Sequence, residues 1–263
     1  MIYGFIGTGN MGSILAKVVS TGNNTLLLAN RTFSKAEKLA KSLGGQALSN
    51  IEVAKRSDVI FLCVKPQMIA DVFDEIREVL IARNERIILV SIVAGYSMDD
   101  IIALSGIKDC PILKLVPNTP IAIGEGIVLY DYKNLDDSEA DVVISSLASC
   151  GMIEYLPEKL MRPAGTIAGC GPAFVDLFIE ALADGGVLCG LPRAKAYALA
   201  SKMVMGSAAY ALASNKHPGQ LKDEVTSPGG TTIRGIRALE KGGFRSSVME
   251  AVIAASEKTS QLK

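Results

Sequence analysis

Ile2-Tyr3-Gly4-Phe5-Ile6-Gly7-Thr8-Gly9-Asn10-Met11-Gly12, running on through Ser13-Ile14-Leu15-Ala16-Lys17-Val18-Val19, decides the fold. An apolar run of strand length meets a glycine-rich turn, and the turn opens a helix. Met11, Leu15 and Val18 fall at i, i+4 and i+7, one face of that helix. This arrangement holds a diphosphate. Gly7 permits the tight turn, Gly9 lets the backbone approach the pyrophosphate, and Gly12 lets helix and strand pack closely. The free amides at the helix start point at the anion, and the helix dipole favours it. Ile6, Gly7, Thr8, Gly9, Asn10, Met11 and Gly12 are therefore candidate dinucleotide contacts. A glycine loop can also be a plain turn; here both the strand before it and the helix after it favour the nucleotide.

Working outward, strand and helix patterns alternate. Thr25 to Ala29 reads as a second strand, ending in Asn30-Arg31-Thr32. An NAD-specific fold places an acid about there to accept hydrogen bonds from the ribose 2′-OH. Arg31 instead can pair with a 2′-phosphate, and Asn30 and Thr32 can hydrogen-bond it, which favours NADP over NAD. Ser34 with Glu37, and Ser49 with Glu52, read as capping boxes. Asp58 to Val64 is a continuous apolar run, as in a strand buried on both faces of a parallel sheet. Ligands of such sheets lie beyond the carboxyl ends of the strands, so Cys63, Val64, Lys65 and Pro66 should border the cofactor. Helix is expected at 69–80, capped helix after Ser97, strand at 86–91, 111–116, 127–130 and 152–156, and helix at 137–150. This predicts a doubly wound, mostly parallel α/β sheet of Rossmann type.

The pattern changes between Pro157 and Pro163, which divides the chain into a nucleotide-binding domain, 1–160, and a helical domain, 161–263. Helices are expected from Gly171, over 193–214, 231–241 and 244–262, with His217-Pro218-Gly219 a turn. The Met and Ala residues of 193–214 suit a core or a subunit interface. A second glycine loop, Ser227-Pro228-Gly229-Gly230-Thr231-Thr232, opens the 231–241 helix. Its amides can bind an anion by the same physics, and its size suits a carboxylate. A plain cap with a tight turn is the other reading.

Composition narrows the function. With 27 Lys+Arg against 27 Asp+Glu and no basic stripe, a nucleic-acid partner is not expected. The longest apolar stretches fall short of the roughly 20 residues that span a bilayer, and the first residues enter a strand without a basic leader, so neither a membrane nor secretion is expected. The five scattered cysteines fit buried free thiols in a reducing cytoplasm. His217 is the only histidine, so histidine triads and histidine metal sites lack their parts; it suits a loop or a cap, and no metal is expected.

Leu221-Lys222-Asp223-Glu224-Val225-Thr226-Ser227-Pro228-Gly229-Gly230-Thr231-Thr232, running on to Leu239-Glu240 and Gly242-Gly243-Phe244-Arg245, resembles the pattern of the pyrroline-5-carboxylate reductase family. Val64-Lys65-Pro66-Gln67, Ala94-Gly95, Pro117-Asn118-Thr119-Pro120, Gly171-Pro172-Ala173 and Ala183 to Val187 extend the resemblance over nearly the whole chain. It implies reduction of the cyclic imine 1-pyrroline-5-carboxylate to L-proline by NADPH or NADH, the last step of proline biosynthesis. It also implies that Ser227, Gly229, Gly230 and Thr231 hold the substrate carboxylate, and that Thr232 meets the ring nitrogen as the catalytic group. Asn50, Ala94, Gly95 and Asn118 join the cofactor site on the same ground. A homodimer interlocked through the C-terminal helices, often assembled into decamers, is implied as well.

The chemistry agrees with the residues available. An iminium is already electrophilic and its product basic, so positioning does most of the work and no metal is required. The family usually has Ser-Gly-Ser-Gly-Pro-Ala-Tyr where this chain has Ala168-Gly169-Cys170-Gly171-Pro172-Ala173-Phe174; Met161-Arg162-Pro163 replaces a segment that usually carries an acid, and Lys114 stands where Arg is common. These departures keep open a reductase of another cyclic imine acid, such as a six-membered ring, and a catalytically silent NADP-binding regulator. A dehydrogenase of the phosphogluconate type is disfavoured, because 164–180 contains no Lys.

Overall fold

The computed structural model describes residues 1–22 and 24–261. Contact density divides the chain into a sheet unit, Met1–Gly169 joined by the residues from Ser256 on, and a helical unit, Cys170–Ala255. The expected boundary at 160/161 therefore moves nine residues along, because the helix after the last strand packs on the sheet.

The sheet unit runs β1 (Ile2–Ile6), α1 (Asn10–Val19), β2 (Thr25–Ala29), α2 (Phe33–Leu43), β3 (Gln46–Ala47), α3 (Asn50–Arg56), β4 (Val59–Leu62), α4 (Ile69–Ile81), β5 (Ile88–Ser91), α5 (Met98–Ser105), β6 (Ile112–Pro117), β7 (Gly126–Lys133), α6 (Asp137–Ser145), β8 (Gly151–Tyr155) and α7 (Glu158–Gly165). The strands order 3-2-1-4-5-6-7-8. All pairings are parallel except β6 with β7. The doubly wound reading holds.

Strands β1, β4 and β5 are apolar on both faces because both faces are covered. One core joins Phe5, Leu28 and Phe61 to Leu15, Val19, Ala36 and Val143 of α1, α2 and α6. The other joins Ile6, Leu27, Ile60 and Leu62 to Val53, Phe73, Ile76 and Ile101 of α3, α4 and α5. Phe5 and Phe61 stack at 4.6 Å in the centre of the first core. Helix α4 buries Ile69, Val72, Phe73, Ile76 and Leu80, the stripe its periodicity predicts.

Some local expectations change. Helix α2 starts at Thr32 as N-cap, without a side-chain cap bond, so the Ser34–Glu37 box does not form: Thr32 takes the extended cap conformation and Ser34 falls inside the helix. The Ser49 hydroxyl does accept from Glu52 N–H, but the Glu52 carboxylate turns to Lys55. Ser97 forms a complete box with Asp100. Helix α6 ends at Ser145, and Ala148–Cys150 tightens into a 3₁₀ turn. Of the cysteines, Cys110 and Cys150 are buried, Cys63 and Cys170 half-buried and Cys189 exposed; all are free.

The helical unit comprises α8 (Gly171–Leu188), α9 (Arg193–Ser214), α10 (Pro218–Glu224), α11 (Thr231–Lys241) and most of α12 (Phe244–Ser260). His217 is not in a free turn: its Nδ1 accepts from Gly219 N–H and it N-caps α10, with Pro218 following. Arg193 pairs with Asp184 to close α8 onto α9, and lies over the Tyr197 ring. Among the described residues of this unit only Ala183, Ala196 and Ala200 are buried. Leu188 is 89% exposed, Leu212 75% and Leu177 67%. The unit thus has almost no core of its own. The continuous helical run Glu158–Leu188 is also long and apolar enough, by length and composition, to cross a membrane. It exceeds the length expected from sequence because α7 continues into α8.

Arg86, just ahead of β5, holds α6 in place. Its Nε and Nη2 donate to the two carboxylate oxygens of Glu139 at 2.5 and 2.9 Å, and Nη2 also donates to Asn134 C=O. The Arg86 hydrogen bond lowers the Glu139 pKa below the usual carboxylate range. A carboxyl lowered by folding stabilises the fold above its unfolded pKa, about 4, and that stabilisation is lost as pH falls through the folded value. Urea midpoints measured across pH should therefore show Glu139→Gln weakest relative to wild type near neutrality. The gap should close on acidification below about pH 4; a gap that is constant with pH would refute this account.

Candidate functional site

The turn from β1 to α1 has the geometry that its glycines demand. Gly7 sits at φ +98°, and a Cβ there would lie 2.7 Å from Cys63 C=O. A Cβ on Gly12 would lie 2.1 Å from Gly7 C=O and 2.9 Å from Cys63 Cβ, so only glycine lets α1 start so close to its own strand. Gly9 is different: a Cβ there meets nothing within 4 Å. No neighbouring atom therefore demands glycine at this position, whereas an approaching ligand would.

Gly9 is the N-cap of α1, so no cap side chain occupies the leading amides, and the first turn carries no acid. Thr8 is buried, and its Oγ1 has no hydrogen-bond partner among the described residues. An orphaned buried hydroxyl costs free energy unless something meets it. The open face at Gly9, the free amides and this hydroxyl fit the diphosphate of a dinucleotide.

The structure brings most of the expected cofactor residues to one edge of the sheet. Gly7 N–H donates to Ala29 C=O, Cys63 N–H to Ile6 C=O, and Thr8 N–H to Asn30 Oδ1 at 3.3 Å. Asn30 Nδ2 donates to Thr32 C=O, so this side chain ties the glycine loop to the end of β2 rather than standing free for a phosphate. Arg31 and Thr32 are exposed. The Arg31 guanidinium reaches Met68 Sδ, beside the Lys65-Pro66 turn. Burial pushes the Cys63 thiol pKa up. Val64 and Ala94 follow β4 and β5 at the same edge, and Gly95 turns with φ +80°. Asn50, at the start of α3, donates to Glu75 Oε2 at 2.7 Å. Asn118 is buried with its carboxamide bonded at both ends, to Ala168 C=O and Ile127 N–H.

The second loop repeats this logic in the helical unit. Ser227-Pro228-Gly229-Gly230 is a tight turn with Pro at its second position, Gly229 at φ +69° and Gly230 N–H donating to Ser227 C=O at 3.1 Å. A Cβ on Gly230 would lie 2.3 Å from Ser227 Oγ. Gly230 is the N-cap of α11, again without an acid in the first turn. Ser227, Thr231 and Thr232 are exposed around the free amides. By contrast α5 and α6 are closed by their own capping boxes.

Sequence reasoning missed what steadies this loop. Thr226 ties it to α10: its N–H donates to Asp223 C=O and its hydroxyl to Lys222 C=O at 2.6 Å. Helix α10 is itself set by the His217 cap, with Gln220 Oε1 accepting from His217 N–H. The signal was present in His217-Pro218-Gly219-Gln220, where Pro stands at the first helical position and Gln at the third.

A Rossmann-type sheet unit with an open glycine turn, followed by a helical unit with a second glycine-capped helix start, has the build of a two-unit nucleotide-dependent oxidoreductase. Comparison with known proteins narrows the class. Residues 158–262 match the family model described as pyrroline-5-carboxylate reductase dimerisation, and 2–95 match NADP oxidoreductase, coenzyme F420-dependent. The chain is 40% identical to pyrroline-5-carboxylate reductase of Pisum sativum over 98% of its length and 95% of the relative's. It is 38% identical to that of Escherichia coli (strain K12), covering 98% and 97%. The crystal structure of Plasmodium falciparum pyrroline carboxylate reductase with NADP bound superposes with a TM-score of 0.89 at 34% identity, covering 100% of this chain and 98% of that one. The chain belongs to the pyrroline-5-carboxylate reductase family.

Gly9 and Gly12 offer a paired test. Gly9→Ala should lower thermal stability only slightly, by the cost of Ala at an N-cap, and weaken NADPH binding by about tenfold or more, because the methyl group fills the ligand's space. Gly12→Ala should lower stability further, since α1 must move. Fluorescence titration with NADPH and thermal melts separate the two, and a Gly9→Ala protein with native affinity would show that the diphosphate lies elsewhere.

Proposed function

We infer that this chain is an NAD(P)H-dependent reductase that converts 1-pyrroline-5-carboxylate to L-proline, the closing step of proline biosynthesis. The observation that carries this reading is the pair of glycine-capped helix starts, Gly9 on α1 and Gly230 on α11, in a chain of this family. One start suits a dinucleotide diphosphate and the other a small carboxylate.

NADPH, when bound, supplies the hydride for the imine carbon. The protein holds, orients and shields. Ile6 to Gly12 hold the diphosphate, and the Thr8 hydroxyl, without a partner among the described residues, is left to meet it. Arg31 and Thr32 meet the 2′-phosphate, while Asn30 braces the glycine loop behind them. Cys63, Val64, Lys65, Pro66, Ala94 and Gly95 line the rest of the cofactor edge, and Asn50 lies at its margin. Amides of Thr231 and Thr232 hold the substrate carboxylate, with Ser227, Gly229 and Gly230 shaping the loop.

The Thr232 hydroxyl orients the ring nitrogen. That nitrogen needs one proton, and the amine formed is basic enough to keep it. No strong general base is required, and positioning lowers the barrier. Arg31 supports NADPH over NADH, because a guanidinium gains a charge-assisted pair only with the 2′-phosphate.

The protein works as a homo-oligomer. We place a second copy over the exposed apolar faces of α8, α9 and α12, giving a homodimer through the C-terminal helices from which a decamer can be built. The three acids Asp176, Glu180 and Asp184 along α8 favour a protein partner over lipid. Five free cysteines suit a cytoplasmic enzyme.

NADPH oxidation with 1-pyrroline-5-carboxylate tests the reading directly. Wild type should turn over, and Thr232→Ala should be slowed about tenfold, the value of one hydrogen bond made at the reacting centre. Preference for a six-membered imine would move the substrate assignment. NADPH binding without turnover of any imine would make the protein a sensor. Arg31→Ala should weaken NADPH binding about tenfold and leave NADH binding unchanged; equal losses for both cofactors would contradict the 2′-phosphate assignment.

A further inference from the structure

Between α7 and α8 the chain does not keep an α-helical path. Pro163 lies inside α7 and cannot donate to the carbonyl one turn back. The buried Thr166 hydroxyl donates to Arg162 C=O at 3.0 Å, a bond that bends helices. Residues Thr166–Cys170 then wind as a π-turn. Such turns are rare, uneven in their hydrogen bonding, and frequent at functional sites.

Asn118 meets this turn. It lies just past Pro117, the last residue of β6, at the carboxyl edge of the parallel strands. Leu62 pairs with both Ile6 and Ser91, and Ser91 pairs with Lys114, so Asn118 shares this edge with the Gly7–Gly12 loop and with Ala94-Gly95. Its Nδ2 donates to Ala168 C=O at 3.1 Å and its Oδ1 accepts from Ile127 N–H at 2.8 Å. Its backbone N–H donates to Ile127 C=O. Asn118 and Ala168 are both 5% exposed, so water does not compete for these bonds. Nearby, the backbone of Gly165 approaches Val116 so closely that a Cβ would stand 3.0 Å from its side chain. One carboxamide therefore joins the end of β6, the start of β7 and the π-turn.

We propose that Asn118 is a positioning residue for the reduction: its carboxamide holds the π-turn Thr166–Cys170 against the carboxyl edge of the sheet. The buried amide fixes the last residues of the sheet unit where the cofactor edge needs them. Asn118 thus acts through the turn and is not itself a cofactor ligand. The inference rests on the reductase reading for its activity arms, and a separate arm is independent of turnover.

Asn118→Asp keeps the size and the acceptor for Ile127 N–H, and retains a donor to Ala168 C=O only while the carboxyl is protonated. Relative to wild type at the same pH, kcat of this variant should fall about 10- to 100-fold at alkaline pH and recover toward acid, with NADPH affinity within about twofold. Thr166→Val, isosteric and lacking the hydroxyl, should lower kcat severalfold with NADPH affinity again unchanged. Amide hydrogen exchange in 166–171 should speed up in both variants, while exchange in 7–12 stays as in wild type.

A loss of NADPH affinity in step with kcat would make Asn118 a cofactor ligand and overturn the proposal. So would a kcat loss that is the same at every pH, or a native kcat in both folded variants. That pH criterion applies to Asn118→Asp alone; if this variant does not fold, Thr166→Val decides by kcat, NADPH affinity and exchange in 166–171, and a native kcat or native exchange there overturns the proposal. If wild type reduces no imine, the function assignment falls, and the exchange arm still decides whether Asn118 holds the turn.

Discussion

The closeness of Gly12 to the carbonyl of Gly7 is the constraint on which the sheet unit depends. No side chain fits between helix α1 and the turn that starts it. The helix must begin immediately beyond the strand, with its first amides uncovered. Those amides need a partner, and the chain withholds its own: the N-cap is glycine and the first turn carries no acid. Elsewhere the same chain closes its helices with Ser97–Asp100 and Asp136–Glu139 boxes. Helices α2, α8 and α9 also start without a side-chain cap bond, but α1 and α11 are set apart by a glycine N-cap that leaves room at the leading amides. A glycine there gives up only a few tenths of a kcal/mol relative to a Ser or Asp cap.

Stability is distributed just as unevenly. Phe5, Phe61, Leu28 and their neighbours give the sheet unit two complete cores. The helical unit buries three alanines among its described residues and exposes Leu177, Leu188, Leu199 and Leu212. Helices that expose such faces need a partner surface, because packing of an apolar face supplies most helical stability in water. With the second copy proposed above seated on these faces, the apparent stability of that unit would depend on protein concentration.

The two glycine loops were legible because glycine is informative where sterics are absolute. Gly7 and Gly12 could be read from spacing and α4 from its apolar stripe, whereas the Gly229-Gly230 turn left a plain cap open as its other reading. What remained hidden was set by side-chain geometry. Asn30 is a polar residue at the right place for a phosphate, yet its carboxamide braces Thr8 and Thr32. Asn118 carries the same ambiguity, since its partners Ile127 and Ala168 are 9 and 50 residues away. Ser34 failed as a cap because Thr32, two residues earlier, competed for the position. The domain boundary shifted because α7 carries few apolar residues that mark it as part of the sheet unit. Its attachment is polar: Lys114 reaches Glu158 Oε1 at 2.7 Å, and Glu158 N–H donates to Asp131.

The single antiparallel pairing, β7 against β6, also has a topological effect. It turns the chain round, so that β7 and β8 run against the other strands and β8 releases the chain facing the amino edge. Helix α7 then starts beside Lys114 and climbs back along β6 to Val116 and Asn118. Its rise over eight residues, about 12 Å, matches four residues of strand. The reversal works as a parity device. With one inverted strand pair and one helix, the exit from the sheet returns to the edge where the glycine turn opens; in a fully parallel sheet the last strand would already end at that edge, and the same helix would carry the chain away from it.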